Sequence, residues 1–203
     1  MKTPTLFAAA AAALALAACQ KTDNPPASTD AGTTNETVNA AQDATSAAVG
    51  AVAANTMGPM TTESFVTNAA ISDMYEVQAG RIAQQKARSA DVKAFGQMMA
   101  TDHTAMMNQI KPLATAANQT PPTGLDERRK GMIDNLNAAS AADFDRVYLS
   151  QQEAAHSEAL DLMRGYAERG DNAGLKDMAG KAVPKIQQHL DRVKQLQQAG
   201  GAT

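Results

Sequence analysis

The chain has three histidines, His103, His156 and His189, and each interrupts an apolar stripe at helical spacing. An α-helix advances about 100° per residue, so positions three, four, seven and eleven apart share a face. Counted from His103, that face carries Val92, Gly96, Met99, Met106, Met107, Ile110 and Ala114. His156 shares its face with Asp145, Leu149, Gln152, Leu160, Met163 and Ala167, and His189 with Leu175, Met178, Ala182, Val193 and Leu196. An imidazole in such a stripe points into a packed interior, where a polar group without a partner is costly. One acid has a matching position. Glu76 lies on a face of small residues with Phe65, Ala69, Ser72, Gly80 and Ala83.

Neutral imidazoles and a carboxylate are ligands for Zn, Fe, Mn or Cu. The four residues therefore predict a single transition-metal site made of Glu76, His103, His156 and His189. Glu153 is an optional fifth ligand, three residues before His156. The bland alternative is a buried hydrogen-bonded network, with Glu76 accepting from imidazole N–H groups, that fixes helix register without metal. A third reading, a metal-dependent redox enzyme, needs open coordination and a route for substrate. Met98, Met99, Met106, Met107, Met163 and Met178 read as core filling or as soft copper(I) ligands. No nucleophile–base pair and no Gly-rich phosphate loop is legible, so no catalytic residue is assigned.

These side chains can meet only if four helices carry them to one level. Aromatic residues are 3% of the chain and tryptophan is absent, and the abundance of Ala, Gln, Met and Leu favours helix over sheet. Four long periodic segments follow residue 60, at about 62–87, 90–117, 141–168 and 172–198, with a short helix at 126–137 between the second and third. Thr61 or Thr62, Ser89, Ser140 and Asp171 are the expected caps of the long ones. Pro112 should bend or end the second helix early, and Pro184 should kink the last near Gly180. Thr120 to Gly124 is a break. The fold class is all-α, an antiparallel up-down-up-down four-helix bundle over residues 61–199.

Depth supports convergence. Glu76 and His103 stand 12 and 15 residues from the turn at Arg88, and His156 and His189 stand 14 and 19 from Gly170. At about 1.5 Å per residue these levels agree to within about two turns. Asp102 faces away from His103 and is either solvated or paired with a neighbouring helix. Asp145, with Phe144 and Tyr148, caps or ties the crossing between the second and third long helices.

The rest of the chain concerns location. Lys2 precedes an apolar run, Leu6 to Ala18, too short for a confident membrane span. It ends in Leu16-Ala17-Ala18-Cys19, which resembles the lipobox of bacterial lipoproteins. That resemblance implies a signal peptide over 1–18, cleavage before Cys19, and acylation (palmitate among the chains) sufficient for stable anchoring. Gln20 in place of Asp favours the outer membrane, facing the periplasm. Residues 19–60 are then the acylated Cys and a disordered tether, low in apolar residues. Residues 38–54 have only three valines for a face, so no packed role is expected of them. The net charge of −3, from 18 basic and 21 acidic residues, offers no basic face for nucleic acid. The partner is the membrane.

Phe65 through Glu76, Asp102-His103, Phe144-Asp145 through His156, and Pro184 through His189-Leu190 resemble the bacterial domain-of-unknown-function family 4142. The resemblance covers about Phe65 to Leu196. It implies a ferritin-like four-helix bundle in an outer-membrane or lipoprotein setting, in an envelope or stress-protective role, with no established reaction. The Glu153-x-x-His156 pair has the spacing of ferritin-like carboxylate sites. Those sites need a second such pair and two further acids, and here Met99 and Gln188-His189 stand instead. A ferroxidase or di-iron oxygenase is disfavoured on that ground, and the chain reads as a binding or stress-protective module rather than a demonstrated enzyme.

Overall fold

The structure is a computed structural model that describes residues 38–45, 48 and 60–200. The apolar run, Cys19 and most of the expected tether lie outside the described residues. Among the described residues the protein is all-helical, and no helix is long and apolar enough to cross a membrane. The helices are α1 (Thr62–Lys86), α2 (Ala90–Ala116), α3 (Glu127–Ala138), α4 (Phe144–Arg169) and α5 (Ala173–Gly200); residues 38–45 are also helical.

Local chemistry sets the ends. Thr61 caps α1 by accepting from Ser64 N at 3.2 Å, and Ser89 caps α2 by accepting from Val92 N at 3.4 Å. Asp126 does the same for α3, accepting from Arg129 N at 2.7 Å. Each satisfies an amide that the first helical turn leaves without a partner. Pro112 does not end α2 early, because the helix runs on to Ala116. What stops it is Asn118 with φ of 56°. The amides of Asn118 and Gln119 then fold back on the carbonyls of Thr115 and Ala114, at 3.0 and 2.9 Å. That pattern is a Schellman turn, with Asn in the left-handed position where glycine is more common.

Two boundaries differ from expectation. Ser140 and Asp143 do bond reciprocally, Asp143 N to Ser140 Oγ at 3.2 Å and Ser140 Oγ to Asp143 Oδ2 at 2.7 Å. The intervening residues form a turn, however, so α4 begins at Phe144 rather than Ala141. Asn172, not Asp171, caps α5, its Oδ1 accepting from Leu175 N at 3.1 Å. Asp171 is engaged elsewhere, accepting from Thr62 Oγ1 at 2.6 Å and from Tyr166 OH at 3.0 Å. It thereby ties the start of α1 to the α4–α5 turn. α5 continues through Pro184 without interruption.

Three-residue connections turn α1 back on α2 and α4 back on α5. The two hairpins meet through α1 against α4 and α2 against α5, and α3 lies across α1 and α4. Between α1 and α2 the approach is close enough to exclude side chains. A Cβ on Gly80 would stand 2.5 Å from the Gly96 carbonyl oxygen, and one on Gly96 would stand 2.8 Å from that of Gly80. The apolar interior falls into two clusters. One gathers Phe65, Ile110, Leu160, Tyr166 and Leu175; the other gathers Tyr75, Phe95, Leu136, Tyr148 and Val193. Phe65 stacks on Tyr166 at 3.9 Å in the first.

Residues 38–45 have a packed role that their composition did not predict. Asn135 Nδ2 donates to the Asn39 carbonyl at 3.2 Å and to Asp43 Oδ1 at 2.9 Å. Gln151 Nε2 donates to Asp43 Oδ2 at 2.7 Å. The docking is polar, so a search for an apolar face misses it. Asp145, expected to cap or tie the crossing between the second and third long helices, instead joins the start of α4 to the α1–α2 turn, accepting from the backbone amides of Arg88 and Ser89 at 3.0 and 2.9 Å. The α4–α5 turn meets the start of α1 through Asp171 and Thr62, so the two tight turns lie at opposite ends and the expected up-down-up-down order is corrected to up-down-down-up.

Candidate metal centre

Between the two apolar clusters lies a belt of buried polar side chains, and its middle is imidazole. His103, from α2, is 1% exposed; His156, from α4, is 1% exposed; His189, from α5, is fully buried. Their ring centroids form a nearly equilateral triangle with sides of 5.5, 5.5 and 5.4 Å. One nitrogen of each lies within 4.8 Å of the other two, so the three rings could hold a metal ion. The helical spacing that placed each histidine on an inner face is the reason they meet.

The other nitrogen of each ring is fixed from behind. His103 Nδ1 donates to Asp73 Oδ1 of α1 at 2.8 Å. His156 Nδ1 donates to the Gln152 carbonyl, one turn back on its own helix, at 2.9 Å. His189 Nε2 donates to Asp102 Oδ2 of α2 at 2.9 Å. Those bonds set the tautomers and leave His103 Nε2, His156 Nε2 and His189 Nδ1 as buried atoms without a hydrogen-bond partner. An imidazole whose N–H is held by a carboxylate or carbonyl, with its lone pair aimed at a common point, is the arrangement that orients metal-ligating histidines. In tetrahedral zinc sites Zn–N is about 2.0–2.1 Å, which puts ligand nitrogens about 3.3 Å apart. From a spacing of up to 4.8 Å, the nitrogens must draw in by as much as about 1.5 Å to reach it.

Charge supports the same use. Burial pushes His189 down to about 3, helped by the neighbouring His156. Burial also lowers His156, against the opposing pull of Glu76. For His103 burial acts in the same sense, but the bond to Asp73 and the negative field of Glu76 outweigh it and raise its affinity for a proton. Two rings are thus neutral, as ligation requires, and a cation must compete with the proton for His103.

The five residues predicted from sequence separate here. His103, His156 and His189 converge. Glu76 lies behind His156: its Oε2 accepts from Gln152 Nε2 at 2.7 Å, and its Oε1 stands 3.7 Å from the Nδ1 of His156. Glu153 is half-buried and accepts from Gln197 Nε2 at 3.0 Å. Neither carboxylate belongs to the group whose ligand atoms are in mutual reach. Asp102 takes the second of its two anticipated roles, pairing with a neighbouring helix. Asp73 escaped notice because it sits about 60° around α1 from Glu76, at the edge of the stripe rather than within it. The signal was its offset of three residues from Glu76.

A family model described as a domain of unknown function, DUF4142, matches residues 44–196. The chain belongs to the DUF4142 family. No curated protein and no solved structure matches the chain. The DUF4142 match spans all three histidines, Asp73 and Asp102, and begins one residue after Asp43, the carboxylate that docks residues 38–45 onto α3 and α4.

Proposed function

We propose that this DUF4142 protein binds one transition-metal ion through His103, His156 and His189, as a binding module of the cell envelope. The observation that carries the reading is the set of three unpartnered imidazole nitrogens brought to one point. Each buried orphan costs about 1–3 kcal/mol, and one cation satisfies all three at once. Nitrogen-only donors favour Zn(II) or Cu(II) over Mn(II), which prefers oxygen. Three protein ligands leave a fourth position for water or an exogenous ligand. Asp73, Asp102 and the Gln152 carbonyl hold the ligand tautomers, and Glu76 adds negative charge behind His156.

The finer architecture belongs to the same proposal: α1, α2, α4 and α5 run up, down, down and up as a ferritin-like four-helix bundle, with α3 as an addition on the long connection. The short connections within each hairpin and the α1–α4 and α2–α5 packing support it. The Leu16-Ala17-Ala18-Cys19 sequence supports a signal peptide, a lipid anchor at Cys19, and an outer-membrane site facing the periplasm. The competing reading is a structural network, and the Asp73–His103 and Glu76–Gln152 bonds favour it. That reading leaves the three inward nitrogens unexplained.

Equilibrating the full chain with Zn(II) or Cu(II) and counting bound metal by mass spectrometry separates the two. The metal reading requires about one ion per chain in wild type and none in His103→Ala. It also requires a melting temperature that rises with metal concentration, as binding to the folded state demands. Wild-type protein that takes up no metal leaves the network.

A further inference from the structure

A site this deep needs a way in, and the three imidazoles are not equally enclosed. Each is backed by a polar group, and the exposure of that group tells how near its ring lies to solvent. Behind His103 the Asp73 side chain is 5% exposed, and behind His156 the Glu76 side chain is 2% exposed. Behind His189, Asp102 is 24% exposed. Among the described residues, it is the most exposed of the carboxylates that touch a ring. His189 is also turned differently. Its Nε2 meets Asp102 and its Nδ1 is free, whereas the other two rings present Nε2 inward. It therefore spans the wall, with one nitrogen at a surface carboxylate and the other at the cluster.

Two features surround that carboxylate. Lys185 Nζ, itself 47% exposed, bonds Asp102 Oδ2 at 3.2 Å, on the same oxygen that accepts from His189. An ammonium there occupies the place an incoming cation would take. Pro184 precedes it, and a proline lacks the N–H that would close the α5 ladder onto the Gly180 carbonyl. Gly180 carries no side chain, and a Cβ there would find only Ala167, at 3.8 Å. The turn that holds Lys185 over Asp102 is therefore the one where α5 is short of a backbone bond.

We propose that Asp102 is the port of the metal site: it takes a divalent cation at the surface, in exchange for the Lys185 ammonium, and passes it to His189. This rests on the three-histidine reading above and adds the path by which the ion is acquired. Asp102 is here a positioning residue at equilibrium and an ion-capturing one in kinetics. Asp73 orients its ring from a sealed position and has only the first of these roles.

The test is stopped-flow uptake of Co(II) by the full chain, followed by the absorption of the nitrogen-ligated ion. Removing the surface charge in Asp102→Asn should slow association by about tenfold, the scale on which local charge steers an ion. Removing the competing ammonium in Lys185→Met should speed it severalfold. Asp73→Asn should weaken retention, with its effect on the release rate. Lys185 is a surface residue, so its variant decides the matter even if Asp102→Asn folds poorly. A wild-type association rate in Lys185→Met, in a chain that does bind Co(II), overturns the port and leaves the site standing. A wild-type chain that binds no Co(II), Zn(II) or Cu(II) removes the site and the port together.

Discussion

Asp73 and His103, thirty positions apart on neighbouring helices, meet through a 2.8 Å bond from His103 Nδ1 to a carboxylate oxygen that is almost sealed from water. Removing the ring strands the acid. His103→Ala should therefore destabilise the metal-free protein by about 3–5 kcal/mol, the cost of breaking a buried pair from one side. Urea unfolding in chelator measures it. A loss below about 1 kcal/mol would mean that the acid finds water or another donor.

The same helix pair fixes a prediction about glycine. At Gly80 a methyl group would drive into the Gly96 carbonyl oxygen, and backbone cannot swing aside as a side chain can. Gly80→Ala should cost about 1–3 kcal/mol through overpacking. Gly131, inside α3, has nothing within 4 Å of a Cβ. Gly131→Ala should instead stabilise by about 0.5–1 kcal/mol, since alanine loses less conformational freedom on entering a helix. Thermal melts of the two variants should move in opposite directions.

Acid should unfold the metal-free protein through its histidines before its carboxylates titrate. His189 is held near 3 and His156 is lowered, both by burial first, while in the unfolded chain both titrate near 6.5. Below that pH the unfolded state binds more protons, so stability falls as pH falls. His103 is raised and acts oppositely: its contribution is complete below 6.5 and fades as pH climbs through its folded value. Between pH 6 and pH 4 it is protonated in both states and adds no slope. Unfolding free energy should then drop by up to about 1.4 kcal/mol per pH unit through His189, and His156 adds to the fall in the same direction. His189→Gln should remove one ring's share of that slope.

Much of this was legible in the sequence, and what was not has physical reasons. A 3.6-residue period with a polar interruption is a strong signal, so His103, His156 and His189 could be placed on inner faces without coordinates. Their expected common level supposes that the turns at Arg88 and Gly170 share one end; those turns lie at opposite ends, and the level holds because each histidine stands near the middle of its helix. Glu76 was placed inside on the same logic, but period alone does not say which way a flexible carboxylate turns once buried. It found Gln152 Nε2. Asp102 lies beside its stripe, where the spacing rule is silent, whereas Asp73, three residues from Glu76, was within reach of that rule and only its partner depended on the neighbouring helix. Pro112 misled because proline removes one bond of the ladder, and packing of Ile110 and Ala114 in the core carries α2 past it. The actual stop, Asn118, depends on a backbone angle that composition does not announce.

Residues 38–45 supply the last prediction, since one carboxylate carries two of the bonds that hold them to the domain. Asp43 accepts from Asn135 Nδ2 and Gln151 Nε2 with its two oxygens. Gln151 is buried and also accepts from Tyr75 OH at 2.8 Å, so the contact reaches the interior. Each amide keeps a second acceptor, the Asn39 carbonyl at 3.2 Å and the Met132 carbonyl at 3.1 Å. Asp43→Ala therefore weakens the network without orphaning it, and the loss should be about 1–2 kcal/mol. The metal-bound fraction should not change, because none of these groups touches the imidazoles. Hydrogen exchange adds a sharper readout: amides in 38–45 should lose protection in Asp43→Ala while those of α2 and α5 keep theirs. Equal loss across all the helices would show that these residues are part of the cooperative core rather than a segment docked upon it.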